Sequence, residues 1–385
     1  MTNDCFQWSM VADAPEDAPE DAQQQAQARR SAAAPMWRYF SRRLDFLSWF
    51  AVAAGFLTWC AWLFRAQAAL ADSATHFIQF ACAVLLTLLF VAAMRQRWRQ
   101  VVGLLVSAVL LAWPMTAYLE TVSLQPLGQP LGQPLGQPLG QPLGQSEAQA
   151  GDTQVVDAPV GVSAAARIVV WNILSHDGAS NRAIELLLRQ HADVAILIEF
   201  SQRNRGLLPA FKDHFPYQQA LSFGSYGIAV VSRWPMDAVI PRVRAADNLP
   251  FAEASIAVPH WPQPLQVIGI HTLPPIRPSA WEIDRRYIDA IIKRSAELPD
   301  PLIVAGDWNA TPTSDLLQQV TATSDLRRVG SWWQPTWGVF QLPLLQIDHA
   351  YVRGLAVHDF AIGAFGGSDH RPLLITVSPE ASSIK

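Results

Sequence analysis

The sequence predicts two structural classes on one chain: a three-helix membrane anchor, then an α/β domain built as a two-sheet β-sandwich flanked by helices. Three observations carry that expectation. Three apolar runs of 18 or 19 residues without an Asp, Glu, Lys or Arg stand in the first third of the chain. From Arg167 onward short β-branched segments recur with few amphipathic helices between them. Between the two halves lies Gln125–Gly144, five tandem copies of Gln-Pro-Leu-Gly, which can form neither a regular helix nor a central strand.

Composition agrees with this division. The 385 residues are 50% hydrophobic and 16% charged, and the mean hydropathy of +0.14 points to membrane segments. Twenty-eight basic against 32 acidic side chains, a net charge of −4, exclude a strongly basic nucleic-acid coat protein. The three cysteines are Cys5, Cys60 and Cys82. Beyond them the chain can hold neither a disulfide framework nor a cysteine–zinc site.

Taken in order, residues 1–35 carry few large apolar side chains and repeat Ala-Pro-Glu-Asp, so they read as a disordered tail. Met36 equally suits a start codon. Residues 36–120 are the anchor, with helices expected at Phe46–Phe64, Phe77–Met94 and Val101–Leu119. At about 1.5 Å per residue each crosses a hydrocarbon core of about 30 Å. Trp49, Trp62, Trp98 and Trp113 lie toward their ends, as at a membrane interface. Arg29, Arg30, Arg38, Arg42 and Arg43 precede the first run, and Arg95, Arg97 and Arg99 follow the second. Arg65 alone stands on the other side, and the next base after the third run is Arg167. Eight against one places the N-terminus in the cytoplasm of a multi-pass inner-membrane protein, with the C-terminal half periplasmic or otherwise extracytoplasmic. Residues 121–162 form a linker whose repeat supplies reach alone.

Residues 163–380 are expected to be globular. Strands are predicted at Ile168–Trp171, Val194–Ile198, Gly227–Ser232, Ala254–Val258, Gln266–His271, Leu302–Ala305, Ile347–Val352 and Leu373–Val377. Helices are predicted at Asn181–Gln190, Ala280–Leu298 and Ser314–Val320.

Polar residues cluster at the ends of these strands, where open sheets place their sites. Asn172 follows the first strand, and Glu199 closes an otherwise wholly apolar one. A strand-end carboxylate reaching solvent is the bland reading of Glu199. His271 closes another strand, where a histidine is more often structural. Gly306-Asp307-Trp308-Asn309 offers an acceptor and an amide donor two residues apart, or simply an Asx turn. Asp369-His370 sets a hard oxygen ligand beside an imidazole, and Asp348 can orient that ring.

The ordered set of Asn172, Glu199, His271, Gly-Asp-Trp-Asn, Ile347-Asp348-His349 and Ser368-Asp369-His370-Arg371-Pro372 resembles the endonuclease/exonuclease/phosphatase superfamily, over Arg167 to Val377. The resemblance implies a deoxyribonuclease I-like fold and a hydrolase of phosphoester bonds, a phosphodiesterase or nuclease. It implies Glu199 as the principal ligand of a divalent metal, Mg²⁺ or Mn²⁺, with Asn172 and Asp369 helping at the metal or phosphate. His370 becomes the catalytic histidine polarised by Asp348. Asp307 orients the attacking water, Asn309 holds a phosphate oxygen, and His271 is a second histidine. Some members carry a further carboxylate behind that second histidine; Glu253 is the candidate here.

From Arg167 to Lys385 there are 19 basic and 20 acidic residues, so the domain lacks the bulk charge of a dedicated duplex binder. Arg285, Arg286, Lys293 and Arg294 can make a local basic patch or a solvated helix face. Trp332, Trp333 and Trp337 can stack a base, touch lipid or pack. The expected partners are a phosphoester substrate, in nucleic acid, lipid or a small diester, and the bilayer; no obligate protein partner is indicated. The alternatives are a lipid-headgroup or small-phosphoester phosphatase, and a non-catalytic binding module on the same fold.

Overall fold

The computed structural model describes residues 20–119, 121–124, 165–174, 177–244, 247–330 and 333–380. The expectations for residues 1–19, the Gln-Pro-Leu-Gly repeat and Trp332 lie outside them. The chain divides into two units, residues 1–117 and 118–385.

The first unit holds α1 (Glu20–Leu63), α2 (Ala69–Thr75), α3 (Ile78–Met94) and α4 (Trp98–Met115). Helix α1 starts at Glu20, within the stretch to residue 35 that the sequence analysis reads as a tail. Apart from Asp21 and Ser31, residues 20–34 are Ala, Gln, Glu and Arg with no Gly or Pro, and strong helix formers outweigh the lack of an apolar face. Two helices, Tyr39–Leu63 and Trp98–Tyr118, are long and apolar enough to cross a membrane. The predicted middle span is a pair, α2 and α3, bent by 55°, which passes the same test when taken together. Ile78, Leu85, Leu104 and Leu111 pack inside this unit, while Phe46, Phe50, Leu57, Phe90 and Val109 are exposed. Helices apolar on both inner and outer faces are consistent with membrane association.

The second unit begins at Tyr118, earlier than the sequence expectation. Val122 N–H donates to Arg328 O at 2.7 Å, and the Val122 side chain joins the sandwich core. In chain order the unit contains β1 (Ala166–Asn172), α5 (Asp177–Arg189), β2 (Val194–Ile198), α6 (Leu207–Phe211), β3 (Tyr217–Leu221), β4 (Ile228–Ser232), β5 (Met236–Val239), β6 (Arg242–Val243), β7 (Leu249–Pro250) and β8 (Ala252–Ile256). It continues with β9 (Leu265–His271), α7 (Pro278–Glu297), β10 (Leu302–Asp307), α8 (Asp315–Thr323), β11 (Arg327–Arg328), β12 (Trp337–Val339), β13 (Leu342–Leu345), β14 (Asp348–Arg353), β15 (Leu355–Ile362) and β16 (Leu373–Pro379).

Two six-stranded sheets result, ordered β15-β16-β1-β2-β4-β3 and β11-β14-β10-β9-β8-β5. Each has a parallel pair at its centre joined through a helix, β1–α5–β2 and β9–α7–β10, with antiparallel strands outside. Ile168, Val170 and Ile196 of one sheet meet Ala254, Val267 and Ile303 of the other in a shared core. The outer faces are covered too: α7 and α8 bury Tyr287, Ile288 and Leu316 against Ile268 and Val304, and α5 and α6 bury Leu187 and Phe211 against Trp171 and Leu197. Coverage on both faces explains why β2, β4, β9 and β10 are buried at every position rather than alternating. Every predicted strand and helix of this unit is present, shifted by a few residues at its ends.

Gly306 fixes the end of β10. Its φ is +155°, and a Cβ there would lie 2.0 Å from Ile270 O on the neighbouring β9. Backbone cannot yield as a side-chain tip can, so Gly306→Ala is expected to cost about 3 kcal/mol or more. Urea unfolding of the full chain, with the midpoint of the second unit compared between variant and wild type, measures it.

Candidate active site

The strand registers bring the polar positions to one edge of both sheets. In the first sheet Asn172 pairs with Ile198, the residue before Glu199. In the second, Asp307 pairs with His271 on one side and with Asp348 on the other. His370 lies on the segment leading into β16, where Trp171 Nε1 donates to its carbonyl at 3.1 Å.

Asn172 is the hub. Its Nδ2 donates to Glu199 Oε1 at 3.1 Å and to Asp307 Oδ2 at 3.0 Å, and lies 3.4 Å from His370 Nε2. His370 Nδ1 donates to Asp348 Oδ2 at 2.8 Å. That leaves His370 Nε2 3.6 Å from Asp307 Oδ2, and His271 Nε2 is also 3.6 Å from the same oxygen. Asn309 N–H donates to Asp307 Oδ1 at 2.9 Å, and its Nδ2 donates to Thr272 O at 2.9 Å. One of its two amide hydrogens is therefore committed to the backbone. Asp369 is held separately: Trp337 Nε1 donates to its Oδ2 at 3.0 Å, and its Oδ1 is buried without a hydrogen-bond partner. Glu199 adopts a φ of +59° and Asn309 one of +45°, left-handed backbone that non-glycine residues seldom take. Such strain is concentrated at functional sites.

Electrostatics separate the two histidines. Burial opposes charge on His370, but Asp348, Asp307, the hydrogen bond to Asp348, and Asp369 outweigh it and raise its pKa to about 10. It is an imidazolium at neutral pH. Burial, then the charge of His370, lowers His271 to about 3, so it is neutral. The Ser225 backbone raises His271 slightly, yet Nδ1 makes no hydrogen bond of good geometry. Burial is also the largest influence on Asp307 and raises it; His370 pulls it down and Asp348 pushes it up.

Several sequence expectations are thereby refined. Glu253 does not stand behind His271: it pairs with Ile268 in register, and Arg294 binds it bidentately at 2.6 and 2.7 Å. Two of the four bases on this helix form ion pairs: Arg294 also meets Glu297, and Arg285 bonds Asp315 at 2.8 Å while lying over Trp281. Trp337 supports Asp369. Residues to which the sequence analysis gave no role hold the rest in place. Ser368 Oγ donates to Asn172 O at 2.7 Å and accepts from His370 N–H at 3.0 Å. Thr336 Oγ1 accepts from Asp348 N–H at 3.0 Å. Arg371 reaches the carbonyls of Gly363 and Pro335. Asp284 Oδ1 accepts from Leu273 N–H at 2.8 Å, pinning the chain just past His271. Ser368 and Arg371 stand in the Ser-Asp-His-Arg-Pro motif; Thr336 and Asp284 have no local signature.

Burial of neutral histidines predicts acid sensitivity. His349, whose Nε2 donates to the carbonyls of Ala310 and Gln346, is lowered to about 3 by burial and by the charge of Arg328. For His271 and His349 the folded pKa lies below the unfolded value of about 6.5, so the unfolded chain takes up more protons as pH falls through that window. Each histidine therefore contributes a loss of up to roughly 2 kcal/mol between pH 7.5 and pH 5, opposed by Asp307 and Asp284, whose burial raises their pKa so that the folded chain takes up protons as pH falls. The histidine share is read by comparison with His349→Gln, which should lower stability at pH 7.5 and lose less of it than wild type between the two pH values, as unfolding midpoints measure.

A model of the endonuclease/exonuclease/phosphatase family matches residues 169–370. A UPF0294 protein of Klebsiella pneumoniae (strain 342) is 37% identical over 81 residues, 20% of this chain and 29% of that relative, so under a third of the relative's length is matched. Among solved structures, a humanised D. rerio TDP2 is 15% identical with a TM-score of 0.48, covering 56% of this chain and 99% of its own. D. rerio TDP2 complexed with single-strand DNA product is 16% identical with a TM-score of 0.47 over the same shares, 56% and 99%. An endonuclease/exonuclease/phosphatase from Beutenbergia cavernae DSM 12333 is 18% identical with a TM-score of 0.45, over 56% of this chain and 72% of that one.

Proposed function

The chain belongs to the endonuclease/exonuclease/phosphatase family, and from that premise we propose that it is a membrane-anchored, divalent-metal-dependent phosphodiesterase whose catalytic domain works outside the cytoplasm. One observation carries the chemistry. A carboxylate-backed imidazolium, His370, and a second carboxylate, Asp307, face each other 3.6 Å apart, both buried, with the Asn172 amide donating to Asp307.

The residues fit a hard cation. Asp369 Oδ1 is a buried carboxylate oxygen with no hydrogen bond, Glu199 and Asn172 add oxygen donors, and the cysteines lie at positions 5, 60 and 82. Glu199, Asn172 and Asp369 would hold Mg²⁺ or Mn²⁺. A cation bound there polarises the phosphoryl group and neutralises charge developing on it. Asp307, ionised, takes the proton of a water whose oxygen forms the new P–O bond while the P–O bond to the leaving oxygen breaks opposite it, and the leaving oxygen takes its proton from solvent; the Asn309 N–H on the other oxygen of Asp307 fixes its orientation. His370 donates a hydrogen bond from Nε2 to a phosphoryl oxygen and keeps its proton, with Asp348 holding the ring through Nδ1. Neutral His271 positions Asp307 or substrate; without a carboxylate behind it, it is a poor proton donor to the leaving oxygen.

The location rests on the Arg distribution around the apolar runs, eight on one side and one on the other. For the substrate, a nucleic-acid phosphodiester is the first reading, from membership of the endonuclease/exonuclease/phosphatase family. A lipid or small diester is the second reading, favoured by the apolar helices and the domain's near-neutral charge.

The test uses the purified full chain with Mg²⁺, Mn²⁺ or EDTA against bis(p-nitrophenyl) phosphate, plasmid DNA and a phospholipid. Metal-dependent cleavage is expected, and the preferred substrate assigns the class. Specific binding of one of these without metal-dependent turnover would instead make the domain a binding module.

A further inference from the structure

Beyond the catalytic edge, the most exposed large apolar side chain among the described residues of the second unit is Phe340, 93% accessible. It stands at the tip of the β12–β13 hairpin, with Leu342 64% and Val339 40% exposed and paired directly across the two strands. Phe340 and Gln341 have φ of +52° and +62°. A two-residue turn with both φ positive favours Asn-Gly, which adopts it without strain. Here a Phe takes the left-handed position and is turned to solvent, against both its backbone preference and its hydrophobicity. An exposed apolar tip held in that conformation is a surface that an apolar partner would cover.

The chemistry around the tip says which. Residues 329–347 contain no Asp, Glu, Lys, Arg or His, so the hairpin enters an apolar phase without carrying a charge into it. Phe and Leu at a protruding turn suit the headgroup–acyl boundary, where shallow apolar burial is rewarded. The same chain carries two helices long and apolar enough to span a bilayer, or three with the bent pair. The second unit begins at Tyr118, the residue at which the last of these helices ends, so chain continuity keeps the domain at the surface from which that helix emerges.

The base of the hairpin belongs to the catalytic edge. Gly338 N–H donates to Asp369 O at 3.0 Å, Trp337 bridges His370, and Trp337 Nε1 holds the Asp369 carboxylate. Phe340 lies three residues further on, about 10 Å at strand spacing.

We propose that the β12–β13 hairpin docks on the lipid bilayer through Val339, Phe340 and Leu342, and so holds the catalytic edge against the membrane surface. The inference rests on the reading of the apolar helices as a membrane anchor, and one experiment separates the two. The full chain, with Cys5, Cys60 and Cys82 replaced by Ala and Gln341→Cys carrying an environment-sensitive fluorophore, is reconstituted into phosphatidylcholine/phosphatidylglycerol vesicles. Flotation with the vesicles reads the anchor. Emission and quenching by a headgroup-proximal spin-labelled lipid read the hairpin. The expected result is a blue-shifted emission, quenched at least twofold by the labelled lipid, with both effects lost in Phe340→Asn, a substitution that suits the positive φ and leaves the unfolding midpoint unchanged.

A chain that floats while its probe emits as in water and escapes quenching overturns the docking. A chain that does not float overturns the anchor, and the docking with it. A blue shift that vanishes when vesicles are diluted below one chain each assigns the tip to a second copy, which also overturns the proposal.

Discussion

His370→Ala is expected to lower kcat/KM for a phosphodiester by about 10³-fold or more, with the unfolding midpoint nearly unchanged. The side chain is buried, but its own backbone anchors remain: Trp171 Nε1 on its carbonyl and Ser368 Oγ on its N–H. The loss is therefore chemical. Asp348→Asn separates orientation from charge. An amide in that place keeps the Thr336 contact to the backbone and can still accept from Nδ1. With the carboxylate's charge gone, burial acts on His370 with less opposition and its pKa drops from about 10. If the imidazolium is the working form, activity is present below that pKa and lost as pH rises through it. The alkaline limb of the pH–rate profile must then move to lower pH in Asp348→Asn, alongside a loss of about 10²-fold at neutral pH. A variant with reduced activity but an unmoved alkaline limb would reduce Asp348 to a packing role.

These two residues also mark how much of the site could be read from sequence. Chemistry written in consecutive residues was legible: Gly-Asp-Trp-Asn and Ser-Asp-His-Arg-Pro named Asp307, Asn309, Asp369 and His370, and the wholly apolar Val194–Ile198 run made Glu199 conspicuous. What sequence spacing does not carry is register. Asp307 faces His271 and Asp348 because β10 pairs with β9 and β14 in one alignment; a slip of one residue would turn every side chain to the other face. Asn172 as hub follows from two sheets stacking, which no local pattern encodes. The missed strands have the same cause. The β15 strand, Leu355–Ile362, follows β14 after a single glycine, so one hydrophobic run looked like one strand, and β12–β13 lack alternation because their outward residues are apolar. Thr336 and Asp284 act on backbone N–H groups 12 and 11 residues away along the chain. Their neighbourhood exists once the loops have closed.

Glu199→Gln tests where the cation sits. The tightest group of carboxylates and imidazole among the described residues is Asp307, Asp348 and His370, whose ligand atoms lie within 4.8 Å of one another. Taken alone, that group competes with the Glu199, Asn172 and Asp369 set as a metal site. Hydrogen bonds argue against it. Asp348 Oδ2 is engaged by His370 Nδ1 at 2.8 Å, and both Asp307 oxygens are engaged, Oδ2 by Asn172 Nδ2 at 3.0 Å and Oδ1 by the Asn309 N–H at 2.9 Å. Asp369 Oδ1 is buried and unbonded, and Glu199 is held at φ +59° beside Asn172. Gln in place of Glu199 retains the oxygen that accepts from Asn172 but removes the charge a divalent cation needs. The expected results are a 10- to 100-fold weaker Mn²⁺ affinity by calorimetry or electron paramagnetic resonance and a fall in turnover of about 10²-fold or more. Asp369→Asn should weaken Mn²⁺ in the same direction, because in the proposed site its unbonded oxygen is the second point of attachment. Unchanged Mn²⁺ affinity in both, with loss in Asp348→Asn, would move the cation onto the Asp307–Asp348–His370 group. His370 would then be a neutral ligand, and the hydrogen bond to the phosphoryl oxygen would have to come from another residue.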